Sequence, residues 1–218
     1  MITVGLAIVW SSMMQIDWRL YAVLDTATLG SRDPLAMTAA LLAGGIGVLQ
    51  LRAKNLSVRQ TAQLAQAILP LTKIAQIPLI INDDLGLALA VGADGVHLGV
   101  DDLPLDLARA SFKGLIGYSP EGVADAQRAE KLGVDYLGVG PFAATTTKLD
   151  AGAPLGQAGL RAIVEAVDCP VVAIGGIAQH NVAEVRACGV AGIVVVSALL
   201  NATNPTQACR EFLAHYKE

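Results

Sequence analysis

One unit recurs along this chain: a short apolar segment, then a helical stretch, eight times over. The apolar segments read RLYAVLD (19–25), IGVLQLR (46–52), PLIIND from Pro78, DGVHL (94–98), LIGYS (115–119), DYLGVG (135–140), PVVAIGG (170–176) and AGIVVVS (191–197). Segments of this length that are apolar on both faces and separated by helices pair in parallel and are buried by those helices. The helical stretches carry their own punctuation. Pro34 starts one that stops at Gly44-Gly45, Ser57 caps one reaching about Gln76, and Gly92 closes a short third. LPLDLARA, EGVADAQRAEKLG (121–133), GLRAIVEAV (159–167), HNVAEVRACG and a last stretch to about Tyr216 complete the series. Eight such units in this length predict an α/β chain folded as a (β/α)8 TIM barrel in one domain. An open doubly wound sheet is the competing architecture, but no Gly-x-Gly-x-x-Gly follows the first strand.

The chain has 218 residues, 54% of them apolar and only 16% charged, with a formal net charge of -4. That balance excludes disorder and argues against nucleic-acid binding, which favours a basic excess. Cys169, Cys188 and Cys209 are scattered without metal spacing. They read as core or helix thiols of a cytoplasmic protein. The start, MITVGLAIVWSSMMQ, lacks a basic leader region and is too short to span a bilayer. Residues 1–18 read as an extension, with a secretory leader as the competing reading, and the barrel occupies 19–218. No membrane association is expected. The pattern says nothing of oligomeric state.

In such barrels chemistry sits at the C-terminal strand ends. There this sequence places Gln50, Arg52 and Lys54 after strand 2, and Asn82, Asp83 and Asp84 after strand 3. Asp101 and Asp102 follow strand 4, Ser119 ends strand 5, and Thr145, Thr146, Thr147 and Lys148 lie in the loop after strand 6. Gly175-Gly176 ends strand 7 and Ser197 ends strand 8. Alternation sends Gln50, Arg52 and Lys54 to one face, opposite Leu49 and Leu51. Cations beside paired carboxylates suit a polyanion with a divalent metal: Arg and Lys take phosphate oxygens, and Asp83 and Asp102 hold Mg²⁺. Gly175-Gly176 and Ser197, which can cap the last helix, form a second, backbone-lined phosphate cradle.

Each element also has a plainer reading. Asn82-Asp83-Asp84 reads equally as a turn with an N-cap, Asp101-Asp102 as a helix start, and Gly175-Gly176 as a turn. His97 reads as a hydrogen-bonded core histidine, and His180 and His215 as helix-surface residues. Joint placement on successive strand ends favours the functional reading.

From about Tyr21 to Leu200 the series QLRAK, NDD, GVHLGVDD, TTTK, AIGGI and VVVSAL resembles the thiamine phosphate synthase family. The resemblance implies a Mg²⁺-dependent transferase acting on small phosphorylated substrates. It would join 4-amino-5-hydroxymethyl-2-methylpyrimidine diphosphate to 4-methyl-5-(2-hydroxyethyl)thiazole phosphate, through a pyrimidine-methylene cation. It further implies that Gln50 meets the pyrimidine and that Arg52, Lys54, Asn82 and Lys148 hold the diphosphate. Thr145 and Thr147 would contact phosphate from the loop, Gly176 and Ser197 would cradle the thiazole phosphate, and Ser119 would sit near the reacting carbon. Arg52, Lys148 and Ser119 form the expected catalytic set, and Asp83 and Asp102 the metal ligands.

Two positions depart from the family pattern. Val100 stands where Gln is common after HLG, and Ser119 is followed by Pro120 and Glu121 where a histidine is common. The related thiazole tautomerase uses that histidine as its proton carrier, so its replacement favours the synthase over the tautomerase. A non-catalytic module that binds a phosphorylated ligand is the third reading.

Overall fold

A computed structural model of the chain describes residues 16–144 and 152–216. Eight parallel strands close into a barrel in chain order. They are β1 (Leu20–Asp25), β2 (Val48–Arg52), β3 (Leu79–Asn82), β4 (Gly95–Leu98), β5 (Leu115–Tyr118), β6 (Tyr136–Val139), β7 (Val171–Ile174) and β8 (Gly192–Val195). Short α1 (Thr26–Leu29) follows β1 directly, ahead of α2 (Pro34–Gly44). Around the barrel run α3 (Val58–Ala75), α4 (Leu85–Val91), α5 (Leu105–Ser111), α6 (Val123–Lys131), α7 (Gly156–Val164) and α8 (Val182–Arg186). After β8 come α9 (Ser197–Leu200) and α10 (Pro205–Ala214). None of the described helices is long and apolar enough to cross a membrane.

The helix punctuation is local chemistry. Asp33 accepts from Leu35 N ahead of Pro34, and Gly45 ends α2 in the left-handed region at φ 90°. Ser57 and Gln60 close a reciprocal capping box at α3. Gly92, at φ 69°, ends α4.

Strand alternation divides the core in two. Leu20, Ala22, Leu24, Leu49 and Leu51 point outward into the layer beneath the helices. Tyr21, Val23, Val48, Ile80, Tyr136, Val172 and Val194 form a separate inner cluster that fills the barrel. Each buried aliphatic side chain contributes roughly 1.5–3 kcal/mol. Ile16 and Trp18 pack against the inner cluster, with the Trp18 ring 4.6 Å from that of Tyr136. Of the expected extension at 1–18, residues 1–15 lie outside the described residues.

The strands are shorter than their apolar runs. The clearest correction is at Ser197, expected at the end of strand 8 as the cap of the last helix. β8 stops at Val195, and Ser197 is the first residue of α9, with Val196 as its N-cap and no side-chain cap bond. The last helix, α10, is capped by Asn204, whose side chain accepts from Gln207 N. The backbone leaves the extended region at Val196 (ψ -88°), so the helical turn begins before the cap that the sequence suggests. Cys188 and Cys209 are buried and Cys169 half-buried, all as free thiols. Desolvation pushes the Cys209 thiol up to about 12.

Candidate active site

Asp25 and Arg52 are register partners on β1 and β2. The Arg52 guanidinium donates to Asp25 Oδ2. Asp25 Oδ1 accepts from Thr28 N at 2.7 Å and so caps α1. The sequence reading passed over Asp25, although it ends a strand as the chosen residues do. Gln50, two residues before Arg52, is buried on the same inner face. Lys54, just beyond the strand, pairs with Asp83 Oδ2. Gln50, Arg52 and Lys54 therefore line one cavity at the C-terminal mouth, together with Asn82, Asp83 and Asp102.

Asp83 has φ 62°, a conformation that Asp tolerates better than most residues and that is rare outside turns. Its N–H donates to the His97 carbonyl at 2.8 Å, tying the ends of β3 and β4 together. Asp84 instead caps α4, its side chain accepting from Leu87 N at 2.8 Å. The plain turn-and-cap reading thus holds for Asp84, while Asn82 and Asp83 face the cavity. Asp102 Oδ2 accepts from Gly99 N at 2.7 Å. The Asp102 carboxyl is held above the usual carboxylate range. Burial is the largest cause, opposed by the Gly99 N–H; the negative charge of Asp83 adds to the rise and Lys54 opposes it. Two carboxylates near enough to repel form a natural seat for a divalent cation.

The cavity floor is polar where a barrel interior of this kind is usually aliphatic. Gln50 Nε2 donates to Tyr21 Oη at 2.7 Å, and Tyr21 Oη lies 2.9 Å from Tyr136 Oη. Tyr136 Oη lies 3.0 Å from His97 Nδ1, and His97 Nε2 lies 2.9 Å from Ser119 Oγ. His97 is hydrogen-bonded, as its plain reading requires, but it also lines the cavity. Tyr21 and Tyr136 went unnoticed in the sequence, because a tyrosine in an apolar strand looks like packing.

The opposite wall comes from β7 and β8. Gly175 and Gly176 have φ of 87° and 68°, where side chains are strained. A Cβ on Gly176 would lie 2.6 Å from the Ala143 carbonyl oxygen. Asn181, a residue the sequence reading did not single out, is buried behind this turn. Its amide donates to the Gly176 carbonyl at 2.8 Å and accepts from Ala178 N at 2.9 Å. Ser197 and Asn201 complete the wall of a cavity of about 810 Å³, within the range of small-molecule sites. Thr145, Thr146, Thr147 and Lys148 lie outside the described residues. His180 is exposed and His215 bonds Gln179 Oε1 at 3.0 Å; neither histidine lines this cavity.

The architecture defines the class: a (β/α)8 enzyme with its polar side chains gathered at the C-terminal mouth. Residues 20–199 match the family model described as thiamine monophosphate synthase, and the chain belongs to that family. It is 48% identical over 200 residues to the thiamine-phosphate synthase of Chloroflexus aurantiacus, covering 91% of this chain and 93% of the relative. It is 45% identical to the thiamine-phosphate synthase of Moorella thermoacetica, covering 89% of this chain and 93% of the relative. The solved thiamine phosphate pyrophosphorylase from Pyrococcus furiosus superposes with a TM-score of 0.84 at 36% identity, covering 92% and 96% of the two chains.

Proposed function

We propose that this chain condenses 4-amino-5-hydroxymethyl-2-methylpyrimidine diphosphate with 4-methyl-5-(2-hydroxyethyl)thiazole phosphate, giving thiamine phosphate and pyrophosphate. The observation that carries this reading is the two-sided mouth. Arg52, Lys54 and the Asp83–Asp102 pair stand on one side, and the Gly175-Gly176 turn on the other. One side suits a diphosphate and the other a single phosphate, as the two substrates require.

Mg²⁺ fits the donor set. Asp83 and Asp102 offer carboxylate oxygens on adjacent strand ends, and Mg²⁺ bound through phosphates needs only one or two protein carboxylates. Among the described residues no three His, Cys, Asp or Glu side chains converge, as an all-protein metal cage would need. When bound, the ion supplies positive charge to the departing pyrophosphate.

The protein's own groups do the rest. Arg52, oriented by Asp25, and Lys54 grip the diphosphate oxygens and stabilise them as they take up negative charge. Asn82 and Lys148 join them, and Gln50 meets the pyrimidine. Departure of pyrophosphate leaves a methylene cation that the aminopyrimidine ring stabilises. Ser119 stands beside that carbon, Gly176 and Ser197 hold the thiazole phosphate so that the ring nitrogen faces the cation, and Thr145 and Thr147 contact that phosphate or the diphosphate. No protein nucleophile is needed. The reaction takes place in a soluble, cytoplasmic enzyme. Purified protein given both substrates and Mg²⁺ is expected to form thiamine phosphate, and to lose that activity on chelation. Absence of product with both substrates and metal present would reject this reading.

A further inference from the structure

The residues that join Gln50 to Ser119 across the cavity floor come from four strands and the end of a fifth: Gln50 from β2, Tyr21 from β1, Tyr136 from β6, His97 from β4 and, just past β5, Ser119. Two glycines make room for them. A Cβ on Gly117 would lie 2.1 Å from Tyr136 Cζ and 2.4 Å from His97 Nδ1. A Cβ on Gly138 would lie 2.9 Å from His97 Cε1 and 3.7 Å from Ser119 Oγ. The inward positions of β5 and β6 are thus emptied where the tyrosine–histidine and histidine–serine contacts form.

We propose that Gln50, Tyr21, Tyr136, His97 and Ser119 form one directed hydrogen-bond chain, which fixes what the floor offers a ligand: an acceptor at Gln50 Oε1 and a donor at Ser119 Oγ–H. The direction follows from donor capacity. Gln50 Nε2 can only donate, so Tyr21 Oη accepts. Tyr21 is fully buried, and among the described residues its other hydroxyl partner is Tyr136, so its proton goes there. The reverse would leave a buried O–H without an acceptor, which is costly in an apolar interior. Tyr136 keeps its proton and donates it in a hydrogen bond to His97 Nδ1, which is therefore the unprotonated, accepting nitrogen. His97 carries its proton on Nε2 and donates to Ser119 Oγ. The Ser119 proton is then left for the cavity, and at the other end Gln50 keeps Oε1 for it. Burial raises both phenols above the ordinary tyrosine range, so both retain the protons the chain needs.

This deepens the proposed function and rests on it for the ligand. An aminopyrimidine edge pairs an exocyclic amine, a donor, with a ring nitrogen, an acceptor. The acceptor that Gln50 presents suits the amine and disfavours a ligand in which a carbonyl replaces it. Tyr136 acts here as a positioning residue, through His97 and Tyr21.

The test has two arms. Nitrogen-15 NMR of the labelled full chain at mildly alkaline pH, with His97 assigned by a His97→Gln variant, reads the tautomer without substrate. A single Nε2–H form supports the chain direction; an Nδ1–H form or a mixture overturns it. Competition between the amino substrate and its 4-oxo analogue reads the consequence. Tyr136→Phe frees Tyr21 to donate to Gln50 and lets the amide turn over. It is expected to narrow the preference for the amino form by about tenfold, whereas unchanged discrimination overturns the proposal. If wild-type protein makes no thiamine phosphate, the proposed reaction fails, and the tautomer still decides the direction.

Discussion

Lys54 is ion-paired with Asp83 across the gap between the ends of β2 and β3. The lysine is 57% exposed and the aspartate 26%, so the pair is worth at most about 1 kcal/mol of stability. In the proposed reaction Lys54 turns to a diphosphate oxygen and Asp83 to the metal. Lys54→Ala is therefore expected to lower kcat/KM for the pyrimidine diphosphate by about 10- to 100-fold, through the loss of one charge-assisted contact of about 1.5–3 kcal/mol. Thermal melting should change little. Unchanged kcat/KM would remove Lys54 from the diphosphate site.

Asp25 has a second duty besides Arg52, since its other oxygen caps α1. Asp25→Ala is expected to cost about 2–4 kcal/mol, combining a lost cap of about 1 kcal/mol with an inadequately paired guanidinium. Asp25→Asn keeps the cap acceptor but not the charge. Denaturant unfolding should place it between wild type and the alanine variant, while its activity falls because Arg52 loses its orientation. Equal stability of the two variants would show that the cap contributes nothing and that the whole loss lies in the ion pair.

The sequence displayed the barrel because each unit carries its own punctuation: Pro34 and Gly45 around α2, Ser57 with Gln60 at α3, Gly92 after α4. These are local effects. Gln50, Arg52 and Lys54 were also legible, since period-two alternation marks a shared face. What escaped is what depends on neighbours distant in the chain. Tyr21 meets Tyr136 only because closure of the barrel brings β1 opposite β6. Asn181 acts on Gly176 through a fold of the loop that no periodicity announces. Ser197 was misplaced by one turn because a serine after an apolar run signals a cap whether or not the backbone has already turned.

The raised carboxyl of Asp102 has a consequence for stability. A carboxyl whose value lies higher in the folded chain than in the unfolded one binds protons more readily when folded. Stability from this group is therefore present at acid pH and falls as pH rises through the folded value. Asp102→Asn removes the charged form. In metal-free protein it should melt at a higher temperature than wild type near neutral pH, and the two should converge as pH falls below the unfolded aspartate range. The same variant should lose Mg²⁺-dependent turnover. A melting difference that grows toward acid pH would contradict the assignment of the strain to this carboxylate.

Asn181 gives the most selective prediction, because its side chain touches the Gly175-Gly176 turn and neither Arg52 nor Asp83. Removing it leaves the half-buried Gly176 carbonyl and Ala178 N–H without their side-chain partner, a cost of about 1 kcal/mol. Freed of that clamp, the Gly175-Gly176 turn samples other conformations. Asn181→Ala is expected to raise KM for the thiazole phosphate by about tenfold or more while leaving KM for the pyrimidine diphosphate within about twofold. Asn181→Asp preserves the acceptor for Ala178 but cannot donate to Gly176, and it brings negative charge near the phosphate. It should therefore impair thiazole phosphate binding at least as much as alanine, though its fold is better kept. Steady-state kinetics with each substrate varied in turn separates the two KM values. Equal losses on both substrates would make Asn181 a general brace of the barrel and not the support of the phosphate cradle.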